Sequence, residues 1–269
     1  MTDALAALVG KVTGQQIEST NRFTGGDISG ATEVELADGS RVVAKMGPVV
    51  DVEARMLRAM AESEARAPEV LGCEDDVLLI EHLPGGGSLT GDAWHSLAAQ
   101  LGALDDLGFE KYGWEESYAL RDIVVENGPC EDWPTFWAER RLLCHVPNLP
   151  PRLARRVEEL AKALPELLPA RPRPVLVHGD LWGGNVIVDN QANAALIDPC
   201  AFYGDREVDA ASLTVFDTPP ESFFDALDLE PGWQGRKPIY RLWMWLLHVR
   251  LFGRGYVDAC NRELDRLGL

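Results

Sequence analysis

The sequence predicts an α+β chain, with strands gathered before Pro84 and helices dominating after it. Three observations carry that expectation. Short β-branched runs joined by a turn occupy the first part of the chain. Apolar residues recur at helical spacing through most of the remainder. Between the two patterns stands Pro84-Gly85-Gly86-Gly87, a run that neither strands nor helices favour. With 269 residues, 46% of them hydrophobic and 25% charged, the chain is in the globular range and long enough for two lobes, read as 1–84 and 85–269.

The elements follow in order. Asp38-Gly39 lies between the alternating runs Ala31–Leu36 and Arg41–Met46 and reads as a hairpin. Val52, Met56, Leu57 and Met60 form one stripe, which predicts a helix over residues 50–60 with Glu53 beside it. Val77-Leu78-Leu79-Ile80 reads as a buried strand running out through Glu81-His82-Leu83. Beyond the glycines, Trp94, Leu97, Ala98, Leu101 and Leu104 share a helix face. Helical spacing returns at 136–143, 153–168, 208–216, 222–227, 239–252 and 256–267. Residues 175–198 are the exception. There Val175-Leu176-Val177, Val186-Ile187-Val188 and Ala195-Leu196-Ile197 read as short strands broken by glycines and polar turns.

Charge and composition exclude several classes of partner. The 25 basic and 43 acidic side chains give a net charge of −18, which repels a phosphate backbone and an anionic membrane face but tolerates a cationic small substrate. No apolar run approaches the ~18 residues of a membrane span, and the most apolar stretch, 239–252, carries Arg241, His248 and Arg250. The first residues lack the basic start and cleavage signature of a signal peptide. The 5 cysteines include no C-x-x-C pair and read as reduced thiols rather than a zinc site. These features lead us to expect a soluble, cytoplasmic monomer without nucleic-acid or membrane partners.

The informative segment is His178-Gly179-Asp180-Leu181-Trp182-Gly183-Gly184-Asn185, followed by Ile197-Asp198-Pro199. If 186–188 and 195–197 pair symmetrically, Asn185 stands opposite Asp198, and an amide oxygen and a carboxylate face one space. These are hard oxygen ligands suited to Mg²⁺. Asp180, five positions before Asn185, is placed to take a proton from an attacking hydroxyl. The pattern fits phosphoryl transfer, where a loop Asp orients the nucleophile while an Asn and a second Asp hold the metal. Lys45 ends an apolar strand and Glu53 follows eight residues later, the pair such chemistry uses to hold a cation on nucleotide phosphates. The loop from Gly25 and Gly26 to Gly30 could lay backbone N–H groups over those phosphates, although it is not G-x-G-x-x-G. The backbone at Glu81 and Leu83 could meet an adenine edge. Asp209 opens a helix, where it reads as a cap or as an anchor for the catalytic loop. Taken singly, Asn185 reads as a turn residue and Lys45 as a solvated edge lysine; their joint spacing favours catalysis.

At this point the sequence resembles the fructosamine kinase (ketosamine 3-kinase) family within the aminoglycoside and choline kinase-like group. The resemblance rests on residues 176–185, on Ile197-Asp198-Pro199-Cys200-Ala201-Phe202-Tyr203-Gly204-Asp205-Arg206-Glu207-Val208-Asp209, and on Tyr112-Gly113-Trp114 and Asp132-Trp133-Pro134. It implies a protein-kinase-like bilobal fold, with a small β-rich N-lobe and a larger helical C-lobe. It further implies ATP- and Mg²⁺-dependent phosphorylation of the sugar 3-hydroxyl of small-molecule or protein-bound ketosamines. By that likeness Asp180 is the base, Asn185 and Asp198 hold the metal, and Lys45 with Glu53 orients ATP. Trp182, Phe202, Tyr203 and Arg206 are the implied substrate residues. Alternatives are an aminoglycoside- or choline-type kinase for another cationic alcohol, and a nucleotide-binding module without catalysis.

Overall fold

The computed structural model describes residues 3–23, 30–104 and 110–269. Two compact units emerge, Met1–Ala103 with Gly184–Cys200, and Leu104–Gly183 with Ala201–Leu269. Pro84 therefore lies inside the first unit.

In the first unit, α1 (Asp3–Thr13) precedes strands β1 (Ile17–Arg22), β2 (Thr32–Leu36) and β3 (Arg41–Met46). Helix α2 (Val50–Glu62), β4 (Val70–Glu74), β5 (Val77–Glu81) and α3 (Asp92–Ala103) follow. The strands make one antiparallel sheet in the order β1-β2-β3-β5-β4. The expected hairpin forms between β2 and β3, with Val34 opposite Val42. Its turn is fixed by the Asp38 carboxylate, which accepts bonds from Ser40 N and Oγ. Period-two alternation decides which face each residue of β5 covers. Val77 and Leu79 pack with Leu5, Leu8 and Val9 of α1, while Leu78 and Ile80 pack with Val50, Ala54 and Leu57 of α2. The sequence pattern did not reveal β1 and β4, which lie at the sheet edges and are half-buried or exposed along their length.

A hairpin of Val186–Val188 and Ala194–Leu196 completes this unit. It is tied down by Ala194 N donating to Ser96 Oγ (2.8 Å) and Leu196 N donating to Arg66 O (2.8 Å). The glycine run also belongs here, since Gly87 N donates to Val188 O at 2.9 Å. A Cβ on Gly87 would lie 2.3 Å from Asp189 O, so only glycine allows this approach.

The second unit is built around aromatic rings. It contains the hairpin β6 (Tyr118–Leu120) and β7 (Ile123–Val125), then α4 (Trp133–Trp137), α5 (Pro151–Leu167) and β8 (Val175–Val177). The strand Phe202–Gly204 pairs with β8. Helices α6 (Glu207–Leu213), α7 (Glu221–Asp225), α8 (Trp233–Phe252) and α9 (Val257–Arg266) follow. Asp132 caps α4 by accepting from Thr135 N at 2.9 Å, and Pro134 stands in the first turn.

The helix expected over 136–143 is instead α4, a π-helical turn at Ala138–Leu142 and a 3₁₀ segment at Leu143–Asn148. The wider turn carries Arg141, whose buried guanidinium lies 4.2–4.9 Å from the ring centres of Phe136, Phe202 and Trp243. It donates to Glu126 O at 2.7 Å and Asn127 Oδ1 at 2.6 Å. All five cysteines are free thiols. Among the described residues no helix is long and apolar enough to cross a membrane.

Replacing Arg141 with Ala strands the buried Asn127 Oδ1 and the part-buried Glu126 O and opens a void between three rings, so unfolding should become easier by about 3 kcal/mol or more. Arg141→Lys should also destabilise, because an ammonium cannot lie flat on the rings while reaching both acceptors. Urea midpoints check both.

Candidate active site

In the first unit, one buried cation joins three separate elements. Lys45 projects from β3 where it pairs with Leu78, and it is only 2% exposed. Its Nζ donates to Glu53 of α2 and, at 2.6 Å, to Asp198 Oδ1 beyond the hairpin. Burial alone would depress the Lys45 ammonium, but the charges of Glu53 and Asp198 outweigh it and hold the group above its ordinary value. Two carboxylates sharing one ammonium leave a surplus negative charge. The Asp198 side chain, 24% exposed, is its open side.

The register corrects one expectation. Val186 pairs with Leu196, and Ile197 N donates to Asn185 O at 3.0 Å, so Ile197 rather than Asp198 stands opposite Asn185. The hairpin loop is the cause. The Asp189 carboxylate accepts from the backbone N of Gln191 and Asn193 and from Asn193 Nδ2, with Ala192 at φ 64°. That closes a loop at 189–193 and draws Ala194 into the strand, one residue earlier than symmetric pairing requires. Asp198 itself has φ 55°, so it leaves the strand's alternation and turns toward Lys45. Asn185 is buried at the end of the 3₁₀ turn Gly183–Asn185.

The loop after β8 belongs to the second unit and is held from two directions. His178 N and Gly179 N both donate to the Asp209 carboxylate, at 2.6 and 2.9 Å. Gly179 has φ 78°, a conformation that favours glycine. Asp180 N donates to His178 Nδ1 at 3.3 Å. At the far end, Gly183 N donates to Asp217 Oδ2 at 2.7 Å, and a Cβ there would meet Asp217 Oδ1 at 2.5 Å. Asp209 is thus an anchor. Asp217 is an anchor that sequence reasoning missed; the only hint was the Gly183-Gly184 pair, which signals close backbone approach. Burial pushes the Asp209 carboxyl up to about 6, against the pull of its two N–H donors.

A family model described as fructosamine kinase matches residues 1–268. The probable ketoamine kinase slr1563 of Synechocystis is 31% identical, over 97% of this chain and 95% of its own. The chain belongs to the fructosamine kinase family. It is a phosphotransferase with an alcohol group as acceptor. A Thermobifida fusca structure provisionally named a fructosamine-3-kinase superposes with TM-score 0.89 at 29% identity, covering 99% of both chains. The aminoglycoside phosphotransferase APH(4)-Ia, solved in a ternary complex with AMP-PNP and hygromycin B, superposes with TM-score 0.65 at 17% identity over 98% of this chain and 97% of its own. The fold is therefore protein-kinase-like and α+β, with a β-rich part and a larger helical part.

The remaining expected residues of this kinase fall in varied surroundings. Trp182 is 36% exposed, its ring edge-on to exposed Phe216 at 6.0 Å. Tyr203 stacks on Trp114 at 5.6 Å. Phe202 departs from the expectation of substrate contact. It is 0% exposed because strand alternation turns it into the core, against Phe136, Trp243 and Arg141. Arg206 donates from Nη1 to Leu227 O at 3.0 Å. Glu81 closes β5 with its N donating to Glu69 O at 2.9 Å, and Leu83 is buried. Gly25 and Gly26 lie outside the described residues.

The folded Asp209 carboxyl titrates near 6 against an ordinary 3.8, so the stability it contributes is present below about 4 and lost as pH rises through about 6. The urea midpoint of the wild type, relative to that of Asp209→Asn, should fall over that interval. Asp217→Ala should lower kcat about tenfold with a smaller change in KM for the nucleotide, since it loosens only the loop's far end. Steady-state kinetics read the split.

Proposed function

We propose that this kinase transfers the terminal phosphoryl group of ATP to the sugar 3-hydroxyl of ketosamines, the fructosamine- and ribulosamine-type products of amine glycation, in a repair role. The observation that carries the reading is the buried Lys45–Glu53–Asp198 triad on the same chain as the doubly anchored His178–Gly183 loop. Family membership and the ketoamine kinase relative support the substrate class. The AMP-PNP complex of the aminoglycoside phosphotransferase supports a nucleoside triphosphate as donor.

In this reading Asp180 accepts the proton of the attacking hydroxyl as its oxygen bonds to phosphorus, and the bridging oxygen departs with ADP. Lys45, steered by Glu53, neutralises charge on the nucleotide phosphates. The Asn185 amide oxygen and the Asp198 carboxylate are hard donors that fit Mg²⁺, and Asp198 presents its open side where negative charge is in surplus. When bound, Mg²⁺ would offset the charge that develops on the phosphate oxygens. Gly25 and Gly26 are assigned to phosphate contact, Glu81 and Leu83 to the adenine edge, and Trp182, Tyr203 and Arg206 to the substrate. Residues 1–84 serve the nucleotide and 85–269 serve catalysis and substrate, in a cytoplasmic monomer acting on free or protein-bound ketosamine.

Incubation with Mg-ATP and fructosyl-lysine or ribulosyl-lysine should yield ADP and a 3-phosphate, seen by ³¹P NMR. Turnover confined to an aminoglycoside or choline in a parallel panel would refute the substrate class and leave the phosphotransferase intact. Asp180→Asn should lower kcat by about 10² or more with nucleotide affinity little changed, because general-base help contributes roughly 10²–10⁴. Undiminished turnover would reject the base.

A further inference from the structure

A cavity of about 390 Å³ opens in the second unit between α8 and α9, lined by Lys237, Arg241, Glu263 and Arg266 together with Gln234 and Gly235 of the first turn of α8. None of these residues belongs to the phosphoryl-transfer machinery described above. Three cations against one carboxylate give the cavity a net charge of +2, in a chain whose overall charge is −18.

Glu263 cannot balance its surroundings. It is 2% exposed, accepting from Arg241 Nε at 3.0 Å on one oxygen and from Arg266 Nη1 at 2.6 Å on the other. Arg241 also spends Nη1 on Thr214 O and Oγ1, which fixes its guanidinium in place. Lys237 is left over. Among the described residues it makes no salt bridge or hydrogen bond, Glu263 attracts it only through space, and its Nζ stands 5.5 Å from the centre of the Trp233 ring. Burial, then repulsion from Arg241 and Arg266, pulls its ammonium below the ordinary value. An anion in the cavity would relieve that repulsion.

We propose that this cavity binds a phosphate dianion, either free or as the terminal group of a small phosphorylated metabolite. A phosphate monoester carries about −1.5 to −2 at pH 7, and free phosphate is then shared between its −1 and −2 forms, so the +2 of the cavity favours the dianion of either. A single carboxylate would leave the cavity half compensated. Guanidinium groups held by Glu263 and Thr214 present their remaining N–H donors in a fixed plane, the geometry that phosphate oxygens accept. The cavity also exceeds the size of inorganic phosphate, leaving room beside Pro238 for a short organic portion.

The test uses the full chain, titrated calorimetrically with inorganic phosphate and separately with glycerol 1-phosphate, at ionic strength held constant with NaCl. We expect saturable binding, retained in Lys45→Met and weakened about tenfold or more in the double variant Lys237→Gln/Arg266→Gln, which leaves the Arg241–Glu263–Thr214 bonds in place. Tighter binding of glycerol 1-phosphate than of phosphate would assign the site to an organic phosphate, and the reverse order to the free ion. The proposal fails if neither probe binds, or if the double variant binds both as the wild type does. It also fails if binding disappears in Lys45→Met, which would mean that the probes read the nucleotide residues. Lys237→Gln alone, at a half-buried position that holds no salt bridge among the described residues, serves as the folding check, and it should weaken binding while leaving the urea midpoint close to that of the wild type.

Discussion

Burying one ammonium with two carboxylates constrains everything in the first unit. The Lys45 charge has left water, and its neutrality is over-supplied by Glu53 and Asp198, which come from a helix and from a chain segment 153 positions away. Desolvating such groups costs several kcal/mol per ion, repaid only when partners are held in close geometry. The sheet that carries β3, the stripe that docks α2 on Leu78 and Ile80, and the bonds that tie the hairpin to Ser96 and Arg66 all supply that geometry. Two carboxylates on one ammonium leave a surplus negative charge in this arrangement. Its open side is the partly exposed Asp198 carboxylate.

A second constraint concerns the backbone of the loop after β8. Its short strand β8 spans only Val175–Val177, too little to fix the six residues that follow by ladder bonds alone. Carboxylates therefore replace the ladder. Asp209 accepts the first two N–H groups of the loop and Asp217 accepts one at its end, so Asp180 sits between two pinned points. Acceptors placed this way fix the loop backbone while leaving the Asp180 side chain out of the anchoring bonds. Both anchors come from one stretch around α6, so the position of that helix and of the loop are set together.

What was legible in the sequence follows from the same physics. The chemistry of phosphoryl transfer dictates residue types at fixed offsets, so Asp180, Asn185, Asp198, Lys45 and Glu53 could be singled out, and the unbroken apolar run Val77-Leu78-Leu79-Ile80 announced β5. Edge strands β1 and β4 could not be read, because a half-exposed strand has no need to alternate. Asp217 escaped notice because it lies 34 positions from Gly183, and nothing local to it signals the bond. The π turn at 138–142 was unreadable for a related reason: it carries Arg141 onto the neighbouring Phe136 ring and onto Phe202 and Trp243 from distant segments.

The hairpin register shows how two local departures combine. A one-residue slip in a regular ladder would turn the Asp198 side chain to the wrong face. The slip is imposed by Asp189, whose carboxylate organises its loop through the N–H groups of Gln191 and Asn193. The left-handed backbone at Asp198 undoes the consequence, since a residue at φ 55° no longer obeys the pleat. Aspartate tolerates that conformation better than most residues, at a cost of order 1–3 kcal/mol. The bond to Lys45 is what the strained residue gains in return. Strain at this position is thus tied to the charge it delivers, which is why the residue must be both tolerant of a left-handed backbone and anionic. Asparagine meets the first condition and glutamate the second; aspartate meets both.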